Sequence, residues 1–372
     1  MRAVSLFSGI GGFELGLMGT AEFALMNEID PAAQAVLDFR YPTVPRVDDV
    51  GLVRPEDLRQ AALLVAGFPC QDVSIVGGQR GLGGEKSGLV RHMFRLAEAV
   101  RPDRLLLENV QSIRFVHGGR VLAYVMHEAE RLGYRWAYRI LDSRAFGLPQ
   151  RRRRFYFLAS RVDDPREVLL SDHGPMPASP PLSQDFPIGF YWTEGRFGHG
   201  LTSDALPPIK SGSAIGIPSP PAVLMPSGEV RLPTIETAER IQGFPVGWSK
   251  AAPARQRWRL VGNAVSPPVL EWLGGRLKNP GPFSAPGFDM PNRTPWPIAA
   301  WGDGKGRRQA VMLSEAPSDA RLGRLSEGCF EWAPISSRAL RGFVDRATDS
   351  RLSYLAGFLD SLRTALKSQD LA

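Results

Sequence analysis

One cysteine follows an apolar run and a proline in the first fifth of the chain. Cys70 ends the sequence GFPC, and Gln71 and Asp72 keep its surroundings polar. A thiol at the end of a strand, under a glycine-rich loop, is a candidate nucleophile. Most lone cysteines are inert core residues, and the polar flanks are what favour the nucleophilic interpretation here.

An acidic motif and a basic motif follow the cysteine. Glu108 ends the apolar run of LLLENV, where partial desolvation favours a general acid. Taken alone, Glu108 is better explained as a strand-end carboxylate paired with an arginine. The sequence QRRRR begins at residue 150 and leads into an apolar strand. Alternation along a strand predicts that Arg152 and Arg154 share one face and act together on an anion or a polar base edge.

A glycine-rich sequence, FSGIGGFELGL, follows the first strand-like run. Its glycines permit a tight turn and a close backbone approach to a ligand at a helix N-terminus. A dinucleotide fingerprint would need glycine where the chain has Glu14, so a cofactor without phosphate, such as S-adenosylmethionine, is favoured. Glu28 and Asp49 end the next two segments, and they are placed to accept hydrogen bonds from ribose hydroxyls and an adenine amine. Taken singly, the glycines are explained equally well by an ordinary turn, and Glu28 and Asp49 are better explained as solvated strand-end acids.

The patterning of the chain indicates how these motifs are positioned. Residues 1–160 alternate apolar strand-like runs with helix-like stretches, which predicts an α/β domain with a parallel sheet and ligands at the carboxyl ends of its strands. Between Gly174 and Pro233 the chain has 12 of its 32 prolines, so a small, irregular β-rich domain is expected there. Helical patterning returns after residue 230, and a second Pro/Gly-rich stretch precedes a helical tail.

Composition excludes several classes of protein. The 372 residues are 43% hydrophobic and 22% charged, which is ordinary for a globular protein. Two cysteines cannot form a disulfide framework or a four-cysteine zinc site, so no metal is expected and an intracellular setting is favoured. No leader is expected, and no apolar run approaches the roughly 20 residues of a membrane span. The net charge of +7 is compatible with a polyanionic partner.

Taken together, the motifs resemble those of the DNA cytosine carbon-5 methyltransferases of bacterial and phage type. Six motifs occur in the family's order between residues 3 and 278: FSGIGGFELGL, GFPCQ, ENV, QRRRR, RLPTIETAERIQGFP and LVGNAVSPPVLEWL. The resemblance implies a Rossmann-like methyltransferase domain and a smaller, irregular β-rich target-recognition domain. The implied divisions are a first catalytic and cofactor-binding part (1–160), a recognition domain (161–230), a return to the catalytic domain that completes the cofactor pocket (231–280), and a Pro-rich linker with a helical C-terminal extension (281–372).

The resemblance also implies a mechanism. Cys70 would add to carbon 6 of a cytosine flipped out of double-stranded DNA, so that carbon 5 can attack a methyl group. Glu108 would hold and protonate ring nitrogen 3. Arg154, supported by Arg152, would bind the exocyclic oxygen of the base.

The implied cofactor is S-adenosylmethionine, and its product is S-adenosylhomocysteine. Phe7 would pack on the adenine, and Asn263 would close the site from the far end of the chain. The remaining cofactor-binding residues implied by the resemblance are Ile10, Gly11, Gly12, Glu28, Ile29, Asp49, Val50, Leu89 and Ala264.

The implied partner is DNA, and the setting is the cytoplasm, at the nucleoid when DNA is bound. A monomer is expected, and the type of enzyme leaves room for a cognate restriction endonuclease that acts on the same site. The net charge of −4 over residues 161–230 is unexpected for a segment that faces DNA. Either the few basic residues of that segment and its backbone groups read the DNA, or neighbouring arginines bind the phosphates; the neighbours concerned are Arg255, Arg257 and Arg259.

Two alternative functions stay open at this point. An RNA cytosine methyltransferase would use the same catalytic framework, and a non-catalytic DNA-binding module would use the same scaffold. Intact Cys70, Glu108 and paired arginines speak against the second alternative. An amino-methyltransferase is excluded, because none of the three SPP sequences is followed by an aromatic residue. A hydrolase of the Cys/His type is disfavoured, since only His92 lies near Cys70 in the sequence.

Overall fold

The chain folds into two compact units, each assembled from three separate segments. The computed structural model describes residues 1–68, 89–194, 200–210, 220–291 and 294–370. The first unit comprises Met1–Asp142, Arg153–Met176 and Val265–Asp319, and the second comprises Ser143–Arg152, Pro177–Ala264 and Ala320–Ala372. Cys70 lies between two of the described ranges, so the predicted nucleophile is outside the described residues.

Within the described residues, a ten-stranded sheet forms the centre of the first unit. Strands are numbered along the whole chain, and this sheet contains β1 (Arg2–Leu6), β2 (Glu22–Asn27), β3 (Arg46–Val47), β4 (Leu63–Ala66), β5 (Arg104–Val110), β6 (Arg135–Asp142), β7 (Arg153–Ser160), β12 (Gly287–Asp289), β13 (Ala299–Gly302) and β14 (Arg308–Val311). The order across the sheet is β12-β14-β13-β6-β7-β5-β4-β1-β2-β3. Consequently β1 and the strands on either side of it lie in one half, and the strands from beyond residue 280 lie at the opposite edge.

Only half of this sheet is parallel. The pairs among β1 to β5 are parallel, whereas every pair that involves β6, β7 or β12 to β14 is antiparallel. The prediction of an α/β domain is therefore confirmed, but the sheet is mixed rather than wholly parallel. The physical reason is the connection from β6 to β7, which spans only residues 143–152 and contains no crossover helix. Such a short connection suits antiparallel neighbours.

Most helices of the first unit lie where the sequence patterning predicts them, whereas the short helix after Asp164 was not predicted. In the first unit they are α1 (Gly12–Gly16), α2 (Pro31–Arg40), α3 (Leu89–Val100), α4 (Arg120–Arg131), α5 (Pro165–Leu169) and α8 (Pro267–Lys278). The Asp30 carboxylate caps α2 by accepting a hydrogen bond from the Ala32 amide at 3.0 Å, and Pro31 occupies the first helical turn. A Cβ on Gly16 would lie 2.5 Å from the Cβ of Leu270, so glycine permits the close approach of α1 and α8.

The second unit has its own sheet and core. Within the described residues its sheet has five strands in the order β15-β11-β10-β8-β9, which are Trp332–Pro334, Val230–Pro233, Ala222–Leu224, Ile188–Phe190 and Thr202–Ser203. Its helices are α6 (Ile235–Gln242), α7 (Ala254–Asn263), α9 (Ser337–Thr348) and α10 (Phe358–Asp370). Phe190 of the sheet packs on Phe343 of α9 and Phe358 of α10, with ring centroids 5.0 and 5.3 Å apart. The two C-terminal helices are thus part of this core.

Residues beyond 280 contribute to both units. β12, β13 and β14 extend the ten-stranded sheet, while β15, α9 and α10 complete the second unit. The helices at the end of the chain agree with the sequence patterning, but the four short strands were not predicted. Among the described residues, no helix is both long and apolar enough to cross a membrane.

Candidate functional site

The glycine-rich sequence forms a left-handed turn between β1 and α1. Gly9 and Gly11 have φ values of 58° and 84°, and Phe7, which is not a glycine, has a φ of 58°. Such values are uncommon for side chains with a Cβ, so the turn is held by its surroundings. A Cβ on Gly9 would meet no atom within 4 Å, whereas one on Gly11 would lie 2.6 Å from the Tyr41 ring. The turn is therefore tight on the side of α2 and open at Gly9, where a ligand can approach the backbone.

Glu28 fixes this turn to the end of β2. Its Oε2 accepts a hydrogen bond from the Gly9 amide at 2.7 Å, and its Oε1 accepts one from the Asp30 amide at 2.8 Å. Burial raises the pKa of the Glu28 carboxyl group, and the two amide donors oppose that change. A carboxylate oxygen can accept more than one hydrogen bond, so Glu28 can bind a further donor beside the turn.

Three of the predicted cofactor residues follow neighbouring parallel strands of the first unit. The parallel strands β1, β2 and β3 are neighbours, so their carboxyl ends bring Phe7, Glu28 and Asp49 to one edge of the sheet. Asp49 is exposed, and its side chain accepts from the Gly51 amide at 2.7 Å. Ile29 is 68% exposed, which leaves an apolar surface beside Glu28. Of the others, Ile10, Gly11, Gly12 and Val50 are buried, and Leu89 begins α3 and packs against the core.

Glu108 and Arg154 form an ion pair on the central strands. Glu108 Oε1 lies 3.2 Å from Arg154 Nε, and both side chains are largely buried. In the antiparallel register Arg154 faces Val110, so Glu108 is its diagonal neighbour two residues away. Gly67, after β4, lies beside the pair, since its Cβ would be 3.8 Å from Glu108 Oε2. Glu108, a buried acid paired with Arg154, thus lies next to the residues that lead to Cys70.

Two residues that the sequence analysis did not assign also belong to this region. Asn109 is buried and donates from Nδ2 to the Phe68 carbonyl at 2.9 Å, which holds the end of the chain segment before Cys70. Glu14 is buried beside Ser5, Ser8 and Glu28, and burial raises the pKa of its carboxyl group to about 7. The sequence contains a signal for each residue. Asn109 follows Glu108 in the ENV motif, and Glu14 lies inside the glycine motif, although it served there only to exclude a dinucleotide fingerprint.

Arg152 has different partners from Arg154. It precedes β7, which begins at Arg153, so the alternation argument does not apply to it. Its guanidinium is buried and donates to the carbonyls of Ile209, Gly262 and Ala264 at 3.2, 3.1 and 2.7 Å. Arg152 thereby fixes the segment that contains Asn263 and Ala264. Its predicted catalytic role stays a prediction, and the described contacts make it a positioning residue.

Two buried glutamines extend this network in the second unit. Gln150 Nε2 donates to Gln242 Oε1 at 2.9 Å, and Gln242 Nε2 donates to the Ala264 carbonyl at 2.7 Å. Gln150 Oε1 accepts from the Ile209 amide at 2.8 Å. Asn263 is exposed at the end of α7, beside these fixed carbonyls. The QRRRR, IQGFP and GNA sequences therefore meet in one network.

Comparison with known proteins identifies the family. A family model described as "C-5 cytosine-specific DNA methylase" matches residues 1–188 and 203–279, which is most of the chain. The chain belongs to this family. It is an enzyme that methylates carbon 5 of cytosine in DNA.

Individual relatives agree with this membership. The cytosine methylase is 42% identical to the Type II methyltransferase M2.BsuMI of Bacillus subtilis (strain 168), over 97% of each chain. It is 28% identical to the Type II methyltransferase M.HaeII of Haemophilus aegyptius, over 75% of this chain and 93% of that one. The crystal structure of the S. pombe Dnmt2 methyltransferase superposes with a TM-score of 0.58 at 17% identity, covering 75% of this chain and 98% of that chain. That structure supports the fold alone.

The family match does not include the end of the cytosine methylase. It stops at residue 279, although the residues beyond contribute strands to both sheets. The alignment with M2.BsuMI covers 97% of this chain, so the residues outside the alignment are too few to make up the C-terminal segment. That relative therefore has a counterpart of most of residues 280–372.

Proposed function

We propose that this cytosine methylase transfers the methyl group of S-adenosylmethionine to a cytosine flipped out of duplex DNA, through a covalent bond to Cys70. The observation that carries the proposal is the buried pair of Glu108 and Arg154 beside Gly67, three residues before Cys70. Cytosine carbon 5 is too electron-poor to take a methyl group unless a nucleophile first adds to carbon 6. The pair supplies the proton and the positive charge that this addition requires.

The chain's own residues account for the steps at the base. The Cys70 thiolate adds to carbon 6, the electron pair of the ring shifts to nitrogen 3, and Glu108 donates its proton there. Arg154 stays beside Glu108 and the exocyclic oxygen, where its charge stabilises the electron-rich ring. After methylation, the proton of carbon 5 is lost to solvent, Cys70 departs as the thiolate, and the proton on nitrogen 3 returns to Glu108, which restores the ring and both side chains.

The glycine turn and its neighbours fit S-adenosylmethionine, which when bound supplies an electrophilic methyl group. The open side of Gly9 lets the backbone approach the ligand, and Glu28 has acceptor positions for ribose hydroxyls. The exposed Ile29 offers an apolar surface for the adenine. The Glu28 carboxyl group beside the turn would repel a pyrophosphate, which again favours a cofactor without phosphate.

The first prediction concerns Glu28. Glu28→Ala is expected to weaken S-adenosylmethionine binding by about ten- to a hundredfold, because charge-assisted hydrogen bonds of ~1.5–3 kcal/mol are lost and the Gly9 amide loses its acceptor. Calorimetric titration of the purified variant measures the change. Glu22→Ala, which removes an exposed acid at the start of β2, is the matched control and is expected to bind normally. Equal affinities of the two variants would refute the assigned role.

The charge distribution supports DNA binding by the second unit. This unit has 19 Lys and Arg against 12 Asp and Glu, whereas the first has 26 of each, so the entire net charge of +7 lies in the second. A net positive charge favours binding to the phosphates of DNA. Arg257 is not available as a phosphate ligand in the described structure, since it binds Glu236, Glu239 and Ser249. Arg255, by contrast, is exposed.

The similarity to Type II methyltransferases leads us to propose that the enzyme is the modification part of a restriction-modification system, with an endonuclease that cuts the same site. We further propose a monomer that acts on cytoplasmic DNA. The test is bisulfite sequencing of unmethylated plasmid DNA after incubation with the enzyme and S-adenosylmethionine. Protection of cytosines in one short sequence context is the expected result. No protection, despite measured cofactor binding, would refute the proposal and direct the search to RNA.

A further inference from the structure

A short segment of the C-terminal region lies against the residues that lead into the QRRRR motif. We name residues 321–326 the brace. Arg321 and Phe146 form a parallel bridge, the Gly147 amide donates to the Arg321 carbonyl at 2.8 Å, and the Arg321 amide donates to the Ala145 carbonyl at 3.0 Å. A Cβ on Gly323 would lie 2.1 Å from the Leu148 carbonyl carbon, so only glycine permits this approach. The brace thus binds residues 145–148 directly.

A buried arginine connects the brace to a second segment. The Arg144 guanidinium is 2% exposed and donates to the Gly323 carbonyl at 3.1 Å. It also donates to the Ser203 and Asp204 carbonyls at 2.9 and 3.2 Å. The Arg144 side chain therefore holds together the brace, residues 203–204 and the residues that lead into the QRRRR motif.

The Asp204 side chain is hydrogen-bonded to the brace. Its carboxylate is fully buried and accepts from Arg324 Nε at 2.7 Å and from the Ser326 amide and hydroxyl, both at 2.8 Å. Its backbone has a φ of 52°, in the left-handed region that favours glycine. A buried carboxylate is costly unless such donors compensate it. The conformation of the chain at Asp204 thus depends on Arg324 and Ser326.

The residues after Asp204 run alongside the arginine motif. The Leu206 amide donates to the Pro149 carbonyl at 2.8 Å, and the Arg151 amide donates to the Leu206 carbonyl at 2.9 Å. The backbone of Ile209 then binds Gln150 through its amide and Arg152 through its carbonyl. A continuous set of hydrogen bonds therefore leads from the brace, through residues 204–209, to the side chains that fix residues 262–264.

We infer that the brace is a positioning element for the QRRRR motif, with Arg324, Ser326 and Asp204 as positioning residues for methyl transfer. The inference rests on the proposed function. The brace lies beyond residue 279, outside the part of the chain that the family model matches. This enzyme thus holds a motif shared by the family with residues that the family model does not include.

The test uses the full chain with Arg324→Ala, which removes one donor of Asp204. At a temperature well below its melting point, the variant is expected to lose at least about tenfold in kcat/KM for DNA, with Arg324→Lys restoring part of the loss. Arg338→Ala is the matched control, because Arg338 is exposed and has no hydrogen-bond or ion-pair partner among the described residues. Wild-type kcat and KM in Arg324→Ala and in the milder Ser326→Ala would overturn the inference.

Amide hydrogen exchange gives a readout that does not depend on the substrate. Arg324→Ala is expected to speed exchange at the amides of Arg151 and Ile209, which are bonded to Leu206 and Gln150. A purely local role for Arg324 would confine the change to the brace and Asp204, and that result would overturn the inference. An inactive wild-type enzyme would instead contradict the proposed function, whereas the exchange result would still report on the brace.

Discussion

Cys70→Ser is expected to lower the rate of cytosine methylation by at least about a thousandfold, with S-adenosylmethionine and DNA still bound. The serine hydroxyl has the right size but is not ionised near neutral pH, whereas a thiol with a pKa of about 8.5 is partly ionised there. The measurement is transfer of a labelled methyl group to plasmid DNA, together with binding titrations of both ligands.

The chain offers a matched control for this variant. Cys329 is the second cysteine and is exposed in the second unit. Cys329→Ser is expected to keep the wild-type rate. Full activity of Cys70→Ser would eliminate the covalent mechanism, and loss of DNA binding in that variant would show that its inactivity has another cause. With S-adenosylmethionine present, DNA that contains 5-fluorocytosine, which has no proton to lose from carbon 5, is expected to form a stable adduct with the wild-type enzyme and with Cys329→Ser, but not with Cys70→Ser.

Glu108→Gln is expected to lower kcat by about a hundred- to ten-thousandfold, because the ring loses its proton donor at nitrogen 3. The amide keeps the shape of the side chain and can still contact Arg154, so the fold and S-adenosylmethionine affinity are expected to persist. Arg154→Ala is expected to reduce kcat strongly as well. The double variant should lose much less than the product of the two effects, since the residues act as a pair.

A neighbouring ion pair provides the control for Glu108. Arg153 on β7 binds Glu315 through two hydrogen bonds, so it is the adjacent residue on the same strand with the same type of partner. Glu315→Gln is expected to leave kcat within about twofold of wild type, because Glu315 takes no part in the proposed chemistry. If Glu315→Gln and Glu108→Gln lowered kcat equally, the effect would be structural and Glu108 would not be the proton donor.

Local patterns predicted much of the first unit. The strand-like apolar runs within residues 1–160 include those that became β1, β2, β4 and β5, and the helix-like stretch that begins at Pro31 became α2. The carboxyl-end rule for parallel strands then brought Phe7, Glu28 and Asp49 to one edge without any knowledge of the fold. These predictions depend on residues close in sequence or on a general rule of α/β sheets.

Contacts between segments that are distant in the sequence could not be predicted from local patterns. The short strands β12 to β15 have no marked alternation. Of these, β13 pairs with β6 and β15 pairs with β11, and these partners lie about 160 and about 100 residues away in the sequence. The arginines were treated as surface cations or as ligands of anions. Arg139, Arg144 and Arg152 are instead buried donors to main-chain carbonyls, an environment that a count of charges cannot reveal.

The second unit draws its strands and core helices from two segments that are separated by residues 265–319 of the first unit, and this has a consequence during synthesis. Chains emerge from the ribosome with the N-terminal end first. The sheet strand β15 and the core residues Phe343 and Phe358 follow all six family motifs in the sequence. A nascent chain that already contains every catalytic motif therefore still lacks part of the unit proposed to recognise DNA. We therefore expect the second unit to complete its fold only after β15 and the two helices that follow it have been synthesised.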